Sequence, residues 1–298
     1  MKGSVTHIKR YLLVILLVIA FVGIYIALSV LGSSNWLTVN QFAISLKNCK
    51  STVKIVVISD LHDHEFGKEN QKLIDLIYEQ RPDIVLMDGD MLNQDSDSAE
   101  VPMHLVESLS KEFPVYYAWG NHEIAYMENN HAELQQELED AGAVVLEEKY
   151  EDITVRDQKI RIGGMYEYAF GTDEKTGENK ALAATQEVQD FLKDFQNTDN
   201  LKLMMSHRPD SFVFGDASQT WDVDLVISGH NHGGQVVFPV LGGLYGGDQG
   251  WFPEYIHGLY RKDAMQLFVT SGLGSDKQIL PRFNNRPEIA VLELQPEE

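Results

Sequence analysis

Five short polar stretches in this 298-residue chain carry side chains suited to holding cations: Ser59-Asp60-Leu61-His62, Asp88-Gly89-Asp90, Gly120-Asn121-His122-Glu123, Ser206-His207 and Gly229-His230-Asn231-His232-Gly233. Asp60, His62, Asp90, Asn121, His207, His230 and His232 offer oxygen and nitrogen donors and no thiolate, a set that fits Mn, Fe or Zn rather than an iron–sulfur cluster. Seven donors exceed what one four-coordinate centre needs. A carboxylate such as Asp90 is able to bridge two divalent ions about 3.5–4 Å apart. Asp60 and His62 stand at i and i+2, which in an extended backbone sends both side chains to one side, and His230 and His232 repeat that spacing. Singly, each residue has a plainer role: Asp60 as a helix cap, Asn121 in a turn, a lone histidine in the core. Their ordered recurrence carries the reading.

Such groups converge only if the chain places them at one edge. Short apolar runs at Val53–Ser59, Ile84–Met87 and Val115–Trp119 alternate with amphipathic segments at Glu69–Glu79 and Met103–Glu112, a β-α-β-α-β rhythm. His131–Ala141 and Thr185–Phe195 read as helices. Val144–Leu146, Ile160–Gly163, Leu201–Ser206, Val223–Ser228, Leu267–Thr270 and Ile289–Leu294 read as strands, so strands dominate the second half. Each polar stretch follows an apolar run, and ligands of α/β sheets bind beyond the carboxyl edge of the strands. Gly242–Gly250 reads as a loop, since it has no Walker lysine and no following helix.

At these residues the sequence resembles the calcineurin-like metallophosphoesterase superfamily, and within it the bacterial membrane-associated YkuE-like branch. The resemblance runs from about Val53 to Leu294 and includes Phe66-Gly67, Gly233-Gly234-Gln235, Tyr255, Gly258-Leu259-Tyr260, Gly272-Leu273-Gly274, Arg282 and Pro287-Glu288-Ile289. It implies an α/β fold of two packed β-sheets flanked by helices, a four-layer sandwich. It also implies two divalent ions, one held by Asp60, His62, Asp90 and His232, the other by Asp90, Asn121, His207 and His230, with Asp90 as the bridge. His122 is then the catalyst that is not a ligand. The implied reaction is hydrolysis of a phosphoester or pyrophosphate by direct attack of a metal-activated hydroxide, with no serine or cysteine nucleophile. Glu123 either orients His122 or faces solvent at a helix start. Arg282 is a candidate to grip a substrate anion through its guanidinium, or else a surface salt-bridge partner. Trp251, Phe252 and Tyr255 flank the glycine-rich loop as candidates for an acyl chain or for inward packing.

Composition sets the remaining bounds. Tyr11–Leu31 is a 21-residue run without a formal charge, enough to cross a bilayer as a helix. Lys2, Lys9 and Arg10 precede it, which predicts a cytoplasmic tail (1–10), a transmembrane helix (11–31), a linker (32–52) with a first edge strand near Gln41–Leu46, and an extracytoplasmic catalytic domain (53–298). Lys47 and Lys50 on the far flank oppose that orientation. A cleaved signal peptide and a variant twin-arginine signal at Lys9-Arg10 are the alternatives. Residues 51–298 hold 19 Lys and Arg against 45 Asp and Glu, a formal charge of −26, which argues against nucleic acid as a partner. Cys49 is the only cysteine, so no disulfide framework exists. Three function classes follow: a phosphoesterase on a membrane- or envelope-associated substrate such as a lipid-linked phosphate, an anchored phosphodiesterase on soluble phosphorylated small molecules, and a non-catalytic metal-stabilised binding module.

Overall fold

The computed structural model describes residues 2–275 and 280–297. Helix α1 (Lys2–Asn35) leads into β1 (Thr38–Leu46) and β2 (Val53–Ile58). Then follow α2 (Gln71–Gln80), β3 (Ile84–Asp88), α3 (Glu100–Leu109), β4 (Val115–Ala118), α4 (Asn121–Glu128), α5 (Leu134–Ala141) and β5 (Ala143–Leu146). These strands and the last, β18 (Glu288–Pro296), form a sheet in the order β1-β18-β2-β3-β4-β5. All neighbours are parallel except β18 and β2.

The second half builds a matching sheet. Its strands are β6 (Lys149–Val155) and β7 (Gln158–Gly164), then, after the small hairpin β8 (Gly171–Thr172) and β9 (Asn179–Lys180), β10 (Leu201–Met205) and β11 (Leu225–Ser228). Two further hairpins follow, β12 (Val237–Phe238) with β13 (Gly242–Gly243) and β14 (Tyr245–Gly246) with β15 (Gly250–Trp251). Strands β16 (Gly258–Lys262) and β17 (Met265–Val269) complete the order β16-β17-β11-β10-β7-β6, with antiparallel strands only at the two edges. Helices α6 (Gln186–Phe195), α7 (Asp210–Val213) and α8 (Ala217–Thr220) precede or follow β10.

Central strands such as β3 and β10 are buried along their whole length, as sheets covered on both faces require. Side chains including Ile55, Ile84, Leu203 and Ile227 form the core between the two sheets. The outer faces are closed by helices. In α6, Val188, Phe191, Leu192 and Phe195 fall on one buried face at helical spacing, and the Thr185 hydroxyl caps the first turn by accepting the Val188 N–H at 3.3 Å. The result is helix, sheet, sheet, helix: the two-sheet fold that the resemblance implies.

Two boundaries differ from the sequence reading. The stretch 32–52 is more than a spacer, because β1 begins at Thr38 and pairs with β18 in register from Thr38↔Glu288 to Leu46↔Pro296. Helix α1 continues past Leu31 to Asn35, and its end is bonded to the domain. The Tyr25 and Ser29 hydroxyls donate to Asn284 Oδ1 at 2.9 and 2.8 Å, and Ser33 Oγ accepts the Asn285 N–H at 3.0 Å. Residues Lys9–Asn35 are long and apolar enough to cross a membrane, and their most apolar window is 0% buried.

Candidate metal centre

Every predicted ligand lies just beyond the carboxyl end of a parallel strand: Asp60 and His62 after β2, Asp90 after β3, Asn121 after β4, His207 after β10, His230 and His232 after β11. The carboxyl edges of the two sheets therefore meet at one place. The His230 N–H donates to Asp60 Oδ1 at 3.0 Å, joining loops that belong to different sheets. Close approach depends on missing side chains. A Cβ on Gly229 would collide with Ser59 and Asp60, and one on Gly120 with Asp90.

The backbone here is not extended. Asp60, His62, Asp90, His230 and His232 all have positive φ, between 44° and 65°, so the extended-backbone premise of the i, i+2 argument does not hold; Asp60 and His62 still share one cluster, whereas His230 and His232 fall in different ones. Left-handed non-glycine residues are uncommon, and their concentration in the ligand loops is strain that the surrounding hydrogen bonds hold in place. Backbone N–H groups of Asp60, His62 and Asp63 donate to the carbonyls of Gly89, Asp90 and Met91, which stacks the first loop on the second.

Three groups of side chains have possible ligand atoms within 4.8 Å of one another: Asp60 with His62 and His232, His62 with Asp90 and His122, and Asp90 with His207 and His230. His207 Nε2 stands 3.1 Å from Asp90 Oδ2 and 3.8 Å from Asp60 Oδ1. His62 Nε2 is 3.9 Å from Asp90, and His232 Nε2 is 3.8 Å from Asp60.

The far nitrogen of three rings is committed elsewhere. His62 Nδ1 donates to Asn93 Oδ1 (3.0 Å), His207 Nδ1 to the Asp88 carbonyl (2.6 Å) and His232 Nδ1 to the Gly274 carbonyl (3.3 Å). Each bond turns Nε2 toward the cluster, the arrangement that orients histidines on metals. Asp60 Oδ2, Asn121 Oδ1 and the Nε2 atoms of His62, His207 and His230 are buried without a hydrogen-bond partner. Buried polar atoms are ordinarily paired, so this local concentration of unpaired donor atoms fits bound cations.

Electrostatics agree. Burial, aided by the nearness of His232 to His62 and of Arg282 to His232, lowers His62 to about 4 and His232 to about 3, keeping both rings neutral. Burial also opposes charge on His207, but Asp90, Asp60 and Asp88 outweigh it and lift this ring to about 10. The same burial works against the Asp90 carboxylate, which His207, His62 and His122 nevertheless hold well below the usual range. Without cations, then, a proton on His207 supplies part of the positive charge that this acidic cluster requires.

His122 sits at the first turn of α4 with its ring edge-on to His62, centroids 4.6 Å apart. Its N–H donates to Asp90 Oδ1 at 2.8 Å, and its Nδ1 accepts the Gln94 N–H at 3.0 Å. In the neutral ring the proton therefore lies on Nε2. Glu123 is fully buried, neither facing solvent nor bonded to His122. It accepts N–H groups of Gly120, Asp90 and Met91 and the Tyr117 hydroxyl at 2.7–2.9 Å, tying the loops after β3 and β4 together. The Gly-Asn-His-Glu spacing, a capping pattern, is a sequence signal that could have found this role.

Arg282 does not face an open site or the surface. At 2% exposure, its guanidinium donates to the carbonyls of Gly274 (2.7 Å), Ser271 (2.8 Å) and Asn285 (3.1 Å). It clamps the loop behind His232, and Asn285 Nδ2 in turn donates to the His232 carbonyl. Trp251 and Phe252 are exposed, so they do not pack inward. Sequence reasoning also missed Asn93, the His62 anchor, and Asp248, whose Oδ2 lies 3.6 Å from His230 Nε2 while accepting the Tyr168 hydroxyl. Asp88 was quoted only as a motif residue, yet burial pushes its carboxyl up to about 8 and its carbonyl positions His207.

Comparison with known proteins gives the same picture. The family profile described as calcineurin-like phosphoesterase matches residues 53–234. An uncharacterized metallophosphoesterase of Campylobacter jejuni is 28% identical over 79% of this chain, which spans 58% of that relative's length. The uncharacterized metallophosphoesterase YkuE of Bacillus subtilis is 28% identical over 81% of this chain and 78% of its own. Phosphodiesterase YaeI of Escherichia coli is 28% identical, covering 83% of this chain and 84% of its own.

Proposed function

This chain belongs to the calcineurin-like phosphoesterase family, and from that premise we propose that it is a dinuclear metal-dependent hydrolase of phosphoester or pyrophosphate bonds. The observation that carries the reading is the set of unpaired, buried Nε2 and Oδ atoms converging from both sheets. Asp60, His62, Asp90 and His232 would hold one ion; Asp90, Asn121, His207 and His230 would hold the other. When bound, two divalent ions of the Mn, Fe or Zn type supply Lewis-acid charge for phosphoryl oxygens and acidify a water for attack.

The chain's own groups do the rest. His122 presents an Nε2–H for the departing oxygen, because the Gln94 N–H occupies its other nitrogen. Asn93, the Asp88 carbonyl and the Gly274 carbonyl fix the planes of the ligand rings, and Glu123 holds Asp90 and the start of α4 in register. Arg282 keeps the His232 loop closed rather than gripping substrate. The E. coli relative is named a phosphodiesterase, which makes diesters the first class to try.

α1 is read as a retained single-pass anchor with its N-terminus in the cytoplasm and the domain outside. A cleaved leader has no need of the hydrogen bonds that Tyr25, Ser29 and Ser33 make to Asn284 and Asn285. The anchor favours a membrane- or envelope-associated substrate by raising its local concentration. Protease added to intact cells should digest the domain; protection would reverse the orientation.

The test uses the full chain in detergent, since starting at residue 51 would remove β1 from its sheet. Metal analysis should find about two ions per chain, and the protein should hydrolyse model phosphodiesters, monoesters or pyrophosphates. His122→Ala should cut turnover about 10²–10⁴-fold at unchanged metal content. A metal-replete protein inert on every ester class would sink the hydrolase reading, and an unaffected His122→Ala variant would remove that histidine from it.

A further inference from the structure

Where α1 touches the domain fixes the height of the domain against a bilayer. The apolar run Tyr11–Leu31 is about 31 Å long as a helix, the thickness of the hydrocarbon core. Tyr25 lies six residues before its end, roughly 9 Å inside along the axis, and Ser29 about 3 Å inside. Asn284 is bonded to both. Phe283 packs edge-on against Tyr25 with centroids 5.9 Å apart. The Phe283–Asn284 segment thus sits at the depth of the boundary between headgroups and acyl chains.

That segment carries the hairpin β12–β13 with it. The Val237 N–H donates to the Phe283 carbonyl at 2.9 Å, and Asn284 Nδ2 donates to the Val237 carbonyl at 3.3 Å. At the tip of this hairpin Val240 and Leu241 are 104% and 67% exposed, and in the next one Trp251 and Phe252 are 67% and 58% exposed. Among the described residues, six of the eleven exposed large apolar side chains outside α1 fall between Phe238 and Phe252, so this is a patch and not scatter. No charged residue occurs from Gly233 to Gly247 in a domain otherwise strongly acidic. Beside it, between α1 and the 284–286 loop, a cavity of about 410 Å³ is lined by Tyr25, Ser29, Trp36, Asn284 and Arg286. The Arg286 guanidinium lies 5.2 Å over the Trp36 ring, the aromatic and cationic pairing that suits a lipid phosphate.

We propose that the Val237–Phe252 hairpins are a second membrane contact, inserted into the leaflet from which α1 emerges, and that they seat the mouth of the metal centre on the headgroup plane. The second of these hairpins borders that centre: Gly247 packs against the His230 ring, and Asp248 reaches His230. The substrate class this selects is an amphiphile whose phosphoester or pyrophosphate group lies at the surface of that leaflet. The inference rests on the phosphoesterase and anchor readings above.

The test reads membrane contact without needing turnover. The full chain bearing Leu241→Cys is labelled with an environment-sensitive dye in nanodiscs of phosphatidylethanolamine and phosphatidylglycerol. A matched protein carries Leu182→Cys, 67% exposed in the turn that precedes α6. Native Cys49 is buried. The Leu241 label should show blue-shifted emission, quenched by acyl-brominated lipid and shielded from aqueous iodide, whereas the Leu182 label should behave oppositely. Equal iodide quenching of both labels, or failure of the chain to enter discs, would overturn the proposal. Leu241→Asp should leave hydrolysis of a soluble phosphodiester unchanged and lower hydrolysis of one presented in vesicles. A lipid-quenched label on a protein inert toward every ester would retain the contact and discard the phosphoesterase reading, while a water-exposed label on an active enzyme would do the reverse.

Discussion

The layer between the two sheets and the loop cluster at their carboxyl edges are built on opposite terms. Between the sheets, Ile55, Ile84, Leu203 and Ile227 are fully buried apolar side chains on regular strands. A strand's length away, the loops bury Asp60, Asp88, Asp90 and His207 on backbones with positive φ at several ligands, and leave polar atoms unpaired. The first layer stabilises the fold through burial, while the second holds charges that folding alone does not favour. The lesson is that position in the sheet, more than residue type, separates stability from chemistry here.

Substitutions should divide along the same line. Asp90→Asn should have the largest effect: loss of at least one ion and a fall in turnover of roughly 10³-fold, with the metal-free protein somewhat less heat-stable at neutral pH, because the carboxylate charge facing His207 is lost. Two retained metals with full activity would remove the bridging role. Leu203→Ala should do the converse, destabilising by about 2–5 kcal/mol in denaturant titrations while the folded fraction keeps its metal content and turnover. If it instead strips metal, the two layers are not separable. Asn93→Ala sharpens the comparison from inside the loop layer: freeing His62 Nδ1 should weaken metal affinity about 10–100-fold by chelator competition, with little change in unfolding.

Glu147, away from the ligand loops in the β5–β6 turn, gives the smallest effect. Burial raises its carboxyl from the usual value to about 7, so between about pH 4.5 and 7 the folded state binds a proton that the unfolded state has released. Stability from this group is therefore full below that window and is lost as pH rises through it, by about 1–3 kcal/mol. Glu147→Gln should raise the melting temperature at pH 8 relative to wild type and have little effect at pH 4.5. An equal gain at both would show that the carboxyl titrates normally.

Much of the fold was legible because buried parallel strands read as apolar runs: Ile84–Met87 and Leu201–Ser206 each lie within one residue of the strand observed. The convergence of the candidate site was legible because its residue types are few and follow those strands. What stayed hidden depends on tertiary contact. Nothing in Asp60 or His62 announces a left-handed backbone, which is imposed by hydrogen bonds from the neighbouring loop. Arg282 looks like an anion grip until folding surrounds it with carbonyls. Glu123 looked like a helix-start residue until the loops it joins were seen together.

The pairing of β18 sets an order of events in synthesis. It lies between β1 and β2, strands made some 250 residues earlier, so the first sheet stays split until the final stretch of chain has emerged. Synthesis would thus pass through a nascent chain whose loops through His232 already exist while two of its strand edges remain open. Contacts at such separation slow folding, and open edges invite pairing with other chains. A chain ending before Glu288 would meet both hazards at once, so late truncations should yield aggregated protein and not a weakened enzyme.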